Sequence, residues 1–119
     1  MEKTTALAAF AALSQPTRLA VFRLLVQEGP DGLPAGEIAR LLDVRANTLS
    51  ANLSVLTAAG LLTSRRDGRQ IIYAADLAGI RALLSFLLED CCGGAPELCR
   101  PLLNDLPAAP EERTLTRAS

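Results

Sequence analysis

Three thiols and no imidazole set the chemistry open to this chain. Cys91, Cys92 and Cys99 are its only cysteines, and it has no histidine. That removes Ser-His and Cys-His nucleophiles, an imidazole general base and any mixed Cys/His metal site. An odd number of cysteines gathered toward one end suits reduced thiols better than a disulfide framework. Their neighbours are acidic: Glu89 and Asp90 precede the pair, and Glu97 lies two residues before Cys99. Carboxylates and a helix C-terminus both disfavour thiolate, which weighs against a redox sensor built on a low-pKa thiol. It also weighs against zinc, which needs deprotonated ligands and usually a fourth donor, here Asp90 or Glu97. Arsenous acid instead condenses with thiols, forming As–S bonds and releasing water without net proton release. Three soft sulfur donors therefore suit As(III) or Sb(III). Cd(II) or Zn(II), thiol redox chemistry and a trivalent methylated arsenical that needs only two thiols stay open as alternatives. A thiol enzyme would place its cysteine in an anion-binding loop at a helix N-terminus. These thiols follow a helix, beside acids and with no basic cradle, so the chain reads as a non-enzyme without a catalytic cofactor.

A second group of residues could read nucleic acid. Net charge is −1 and therefore uninformative until it is mapped. Residues 37–70 hold Arg40, Arg45, Arg65, Arg66 and Arg69 against Glu37, Asp43 and Asp67, whereas residues 76–119 hold four arginines against seven acids. A basic patch acts over about one Debye length, roughly 8 Å, so the local excess matters more than the total. Within it stand Asn47, Thr48, Ser50 and Asn52, small polar side chains able to approach base edges and phosphates; Asn can pair with adenine in the major groove. Arg45 precedes them, and Arg65, Arg66 and Arg69 can bind phosphate or enter a minor groove.

The elements that must position these groups are legible from periodicity and punctuation. An Ala-rich stretch over 4–13 has high helix propensity. Ser14-Gln15-Pro16 breaks it and opens a second helix over about 16–27, with Leu19, Phe22, Leu25 and Val26 facing a core. Gly29-Pro30-Asp31-Gly32 is a turn. A short helix over about 34–42, with Ile38, Leu41 and Leu42 inward, joins through Asp43-Val44-Arg45 to a helix over about 46–59 carrying Leu49, Leu53 and Leu56. That is a helix-turn-helix, whose second helix exposes Asn47, Thr48, Ser50, Ala51, Asn52 and Ser54. Two short runs, 61–66 and 69–74, are joined by Asp67-Gly68, a strong hairpin signal. A last helix over about 77–90 carries Leu77, Ile80, Leu84 and Leu87 at 3-4-3 spacing, widened by Leu83 and Leu88. So broad a stripe on so small a domain is predicted to bury part of itself against a second copy. The fold class is thus mainly α with a small β-hairpin, a dimeric winged helix-turn-helix. Residues 1–106 form the DNA-binding and dimerisation domain with its Cys site, and 107–119 a disordered tail. No transmembrane run or signal peptide is visible, which points to the cytoplasm.

Ala12-Leu13-Ser14-Gln15-Pro16-Thr17-Arg18-Leu19, Asn47-Thr48-Leu49-Ser50-Ala51-Asn52-Leu53, Ala59-Gly60-Leu61-Leu62 and Arg65-Arg66-Asp67-Gly68-Arg69 follow one another in order. Together they resemble the ArsR/SmtB family of metal-responsive repressors over about residues 8–92. The resemblance implies a homodimer paired through its first and last helices, bound to a pseudo-palindromic operator and released by an inducer. It also implies DNA contacts from Asn47, Thr48, Ser50 and Asn52. Two departures follow. Ala35-Gly36-Glu37-Ile38-Ala39-Arg40 lacks the Cys-Val-Cys type of motif that some members carry on this helix, and the last-helix zinc site of others needs the histidine missing here. The chain is instead similar to arsenic-responsive members with three Cys at the end of the last helix, which makes As(III) or Sb(III) the expected inducer.

Overall fold

The computed structural model describes residues 1–91, and side chains through Leu88. Cys92, Cys99 and the 107–119 tail lie outside the described residues, and of Cys91 only the backbone is described. The first helix, α1 (Lys3–Leu13), buries Ala6, Ala9 and Ala12 and turns Leu7 and Phe10 outward. Methyl-sized side chains at every third position let it lie close against its neighbours. α2 (Pro16–Glu28) starts with Pro16 at its first position, where a missing N–H costs nothing, and Gln15 caps it by accepting the Arg18 N–H at 2.7 Å. Its core face runs through Val21, Phe22 and Leu25. Leu19, expected inward, is exposed, because the buried stripe is rotated toward Val21 and Leu25.

Leu33–Pro34 forms a two-residue strand, β1, where the sequence suggested the start of a helix. α3 (Ala35–Leu42) follows, with Ile38 fully buried and Leu41, read as inward, exposed. The turn Asp43-Val44-Arg45 then leads into α4 (Ala46–Ala58). Asp43 adopts the left-handed region at φ 53°, and Val44 donates its N–H to the Ala39 carbonyl at 3.0 Å, closing α3 abruptly. α4 closes in a Schellman arrangement: Leu61 N–H reaches the Leu56 carbonyl and Gly60 N–H the Thr57 carbonyl, each at 3.0 Å. Gly60, at φ 79°, supplies the left-handed step.

β2 (Leu62–Asp67) and β3 (Gln70–Ala75) make the hairpin, and β1 joins the other side of β3, giving an antiparallel sheet in the order β1-β3-β2. The sequence placed Asp67-Gly68 in the loop. The register Asp67↔Gln70 instead leaves Gly68 and Arg69 there, with positive φ only at Gly68, the II′ pattern. The shift moves every cross-strand pair by two positions, so Arg65 and Arg66 keep the same faces in either register.

α5 (Leu77–Cys91) packs against α1. Leu77 and Leu83 are buried, 4% and 1% exposed, and belong to the protomer's own core with Leu25, Ile38, Leu49, Leu53, Leu56 and Leu61. The expected seam is corrected accordingly: Leu77 is not available to a partner. Ile80 leans on the core, Leu84 is half-buried, and Leu87 stays exposed.

Candidate nucleic-acid interface

The N-terminal half of α4 presents an exposed polar surface on the helix-turn-helix. Arg45 stands at its N-cap, and Asn47, Thr48 and Ser50 are exposed, while Leu49 and Leu53 hold the opposite face in the core. The first turn carries no acid. The partial positive charge of the helix end therefore adds to Arg45, an arrangement that favours phosphate. Asn47 Oδ1 accepts the Thr48 N–H at 2.9 Å, which folds the asparagine over the helix entrance.

Asn52 departs from expectation. The helical pattern puts it among the solvent-facing residues, yet it is 8% exposed, and its Oδ1 accepts Arg18 Nη1 at 3.3 Å. As a direct DNA contact it is corrected: the polar group faces inward because a cation on α2 satisfies it there. Arg18 itself escaped sequence reading. The signal for it was an arginine with no acid three or four positions away on either side, hence in need of a partner elsewhere in the fold.

The hairpin lies beside α4. Ser64 pairs with Tyr73 and Arg66 with Ile71, so these four side chains share one sheet face. That face turns toward the helix-turn-helix. Ser64 and Tyr73 line a cleft with Ser54, Thr57 and Ala58, and Ile71 and Tyr73 line a groove with Ser50, Gly36 and the loop residue Arg69. Arg66 and Arg69 thus stand at the α4 side of the wing. Arg65 is opposite Ile72 on the other face and donates Nη2 to the Asp31 carbonyl at 2.9 Å, bracing the wing on the turn after α2. Of the predicted contact set, the fold brings Ser50 and Arg69 to one groove, leaves Arg45, Asn47 and Thr48 exposed at the α4 entrance, and puts Arg66 on the sheet face of Ile71. It turns Arg65 behind the sheet and Asn52 into the interior.

Arg40, on α3, is held by Glu37: its Nε donates to Oε2 at 3.0 Å, and a second hydrogen bond joins the same pair. The hydrogen bond lowers the Glu37 carboxyl below its ordinary range and raises Arg40. The pair's small contribution is present at neutral pH and is lost as pH falls through the lowered Glu37 value. Among the described residues no group of His, Cys, Asp and Glu could hold a metal, and no helix is long and apolar enough to cross a membrane.

Comparison with known proteins agrees with this geometry. A helix-turn-helix domain family model matches residues 13–65. An HTH-type transcriptional regulator of Escherichia coli, YgaV, is 31% identical over 81 residues, spanning 68% of this chain and 80% of that protein. A Halobacterium salinarum protein carrying the name of the arsenical resistance operon repressor ArsR is 38% identical over 74 residues, 62% of this chain and 57% of that one. Among solved structures, an ArsR-like transcriptional regulator from Rhodococcus superposes with a TM-score of 0.69 at 26% identity, covering 88% of this chain and 96% of the other. The homodimeric winged helix-turn-helix DNA-binding domain of Mb0332 from Mycobacterium bovis does so at 0.58 and 27% identity, over 82% and 84%. Its groove, its wing and these relatives make the chain a member of the ArsR/SmtB family of winged helix-turn-helix transcriptional repressors.

Proposed function

We propose that the chain acts as a homodimer that holds a pseudo-palindromic operator in its inducer-free state and lets it go when As(III) or Sb(III) is held by Cys91, Cys92 and Cys99. The observation that carries the DNA half is the groove bounded by Ser50 of α4 and Arg69 of the wing, with an acid-free helix entrance beside it. Two such units related by a two-fold would address half-sites about one helical turn, roughly 34 Å, apart.

Dimerisation is supported by what the protomer leaves uncovered. Leu7, Phe10 and Leu87 are exposed on α1 and α5, two helices in contact, and the M. bovis neighbour is homodimeric. Leu7 is 57% exposed, so a charge there disturbs no protomer core. Leu7→Glu is expected to weaken the dimer at least tenfold while leaving the monomer folded. Sedimentation velocity with a circular dichroism melt reads both.

The inducer half rests on donor chemistry. Cys91 is the last described residue of α5, and Glu89 and Asp90 precede it in the sequence, carboxylates that favour the protonated thiol. A trivalent metalloid that condenses with thiols tolerates that state better than zinc does. Release needs only a difference in affinity between the two forms, and a coupling of about 1–3 kcal/mol changes operator affinity roughly 5- to 150-fold. The test is operator binding under reducing conditions, titrated with arsenite, antimonite, methylated arsenite, Cd(II) and Zn(II). Arsenite should release wild-type protein, and Cys99→Ser should bind operator normally yet resist release. Unimpaired release of Cys99→Ser would sink the three-thiol reading; release by Cd(II) or Zn(II) alone would replace the metalloid with a divalent ion.

A further inference from the structure

Arg18 is the one side chain in the described protomer that hydrogen-bonds to both the end of α1 and the interior of α4. Its Nε donates to the Ala12 carbonyl at 2.6 Å and its Nη2 to the Ala11 carbonyl at 3.5 Å, while Nη1 donates to Asn52 Oδ1 at 3.3 Å. Its backbone is pinned as well, through the Gln15 cap. All three guanidinium partners are neutral oxygens, and among the described residues no carboxylate pairs with it. What balances the half-buried cation is the negative end of the α1 dipole, concentrated on the last carbonyls of that helix. The cation is therefore bound to the position of α1, and a planar guanidinium transmits that position rigidly to whatever its remaining nitrogen holds.

What it holds is the middle of the recognition helix. Asn52 lies two residues beyond Ser50, on the buried side of α4, and Arg18 is the partner that makes its burial tolerable. α1 meanwhile packs on α5, whose far end carries Cys91, and exposes Leu7 and Phe10.

We infer that Arg18 and Asn52 form a strut that sets the pose of the recognition helix from the position of α1, so that base discrimination depends on this pair although neither residue touches DNA. The inference rests on the DNA-reading function proposed above and adds a positioning pair to it. A shift of α1, whether from the partner protomer or from α5, would reach Ser50 and Asn47 through these contacts.

The distinguishing readout is the ratio of affinities for a selected duplex and an unrelated duplex. Phosphate contacts contribute to both, whereas helix pose matters mainly for the first. The full-length wild-type protein is used to enrich a duplex from a random library. Arg18→Lys, Asn52→Ala and the double variant are then titrated with that duplex and with a scrambled one of equal length. Asn52→Ala leaves the clamp on α1 intact and puts a good helix former in α4, so it keeps the test open if Arg18→Lys melts. Each single variant should lower the selected-to-scrambled ratio fivefold or more, and the double variant should lose no more than the more damaging single, because the two residues act as one unit. A smaller drop in Asn52→Ala, or losses that add in the double variant, overturns the strut. A wild-type protein that enriches no sequence overturns the DNA-reading function itself, and the strut with it.

Discussion

Gly79→Ala is expected to destabilise the protein by about 3 kcal/mol, enough to lower its melting temperature by roughly 10 °C or more. A Cβ built at Gly79 would overlap the Gly60 carbonyl oxygen, which is backbone and has nowhere cheap to go. The contact belongs to a built joint. Asp76 caps α5 by accepting the Gly79 N–H at 3.0 Å, and donates its own N–H to the Leu61 carbonyl at 2.9 Å. The first turn of α5 is thereby seated on the corner between α4 and the wing. A methyl group must either push the corner away, breaking the Asp76–Leu61 bond, or lift α5 from Leu61, which is buried. Gly36→Ala is the matched control: nothing lies within 4 Å of the added methyl, so the usual helical gain of alanine over glycine, about 0.5 kcal/mol, is expected there. Thermal melts of the two variants should move in opposite directions. Equal shifts would show that the α5 joint yields without cost.

Removing both wing arginines that face α4 is expected to cost the largest share of DNA affinity. Arg66→Ala with Arg69→Ala takes four cations from a dimer. If each neutralises one phosphate, the slope of log K against log salt falls by about 3–4 units and affinity near 0.1 M salt drops on the order of 10²–10³-fold. Arg65→Ala should behave differently, because its guanidinium is committed to the Asp31 carbonyl behind the sheet. It should change the salt slope by less than one unit and act mainly through a looser wing. Fluorescence anisotropy across a salt series separates the two cases. Equal slopes for Arg65→Ala and Arg66→Ala would mean that the sheet face does not sort these residues.

The architecture was legible because its signals are local. Helical periodicity, Pro16 at a helix start, Gly60 at a helix end and the glycine of the hairpin each act within a few residues, and the helices fall within a residue or two of the expected bounds. What escaped depends on distant partners. β1 is two residues long, too short for any alternation, and is a strand only because β3 lies beside it. Asn52 looks like its polar neighbours until Arg18, 34 positions earlier, draws its oxygen inward. Leu77 and Leu87 are the same residue type on one stripe, and the sequence cannot say that α5 gives the first to its own core and leaves the second bare. The hairpin register failed by one residue because Asp-Gly and Gly-Arg both make acceptable two-residue loops. Of the candidate site, the α4 entrance and the wing were readable; which of Arg65 and Arg66 turns toward α4 was not, since that depends on where α4 and the Asp31 turn lie against the two sheet faces.

The order β1-β3-β2 leaves two strands at the rim of the sheet, each with unpaired backbone groups that could recruit a strand from another molecule. β1 answers with Pro34, which has no N–H to offer, and with its brevity. β2 answers with Arg65, Arg66 and Asp67 in succession. Arg65 and Arg66 therefore guard against edge-to-edge self-association, whichever sheet face each one occupies. A variant engineered to weaken DNA binding by exchanging them for apolar residues would trade a regulator that has lost its grip for one prone to aggregate, and arginine-to-glutamate charge swaps are the safer route at this rim.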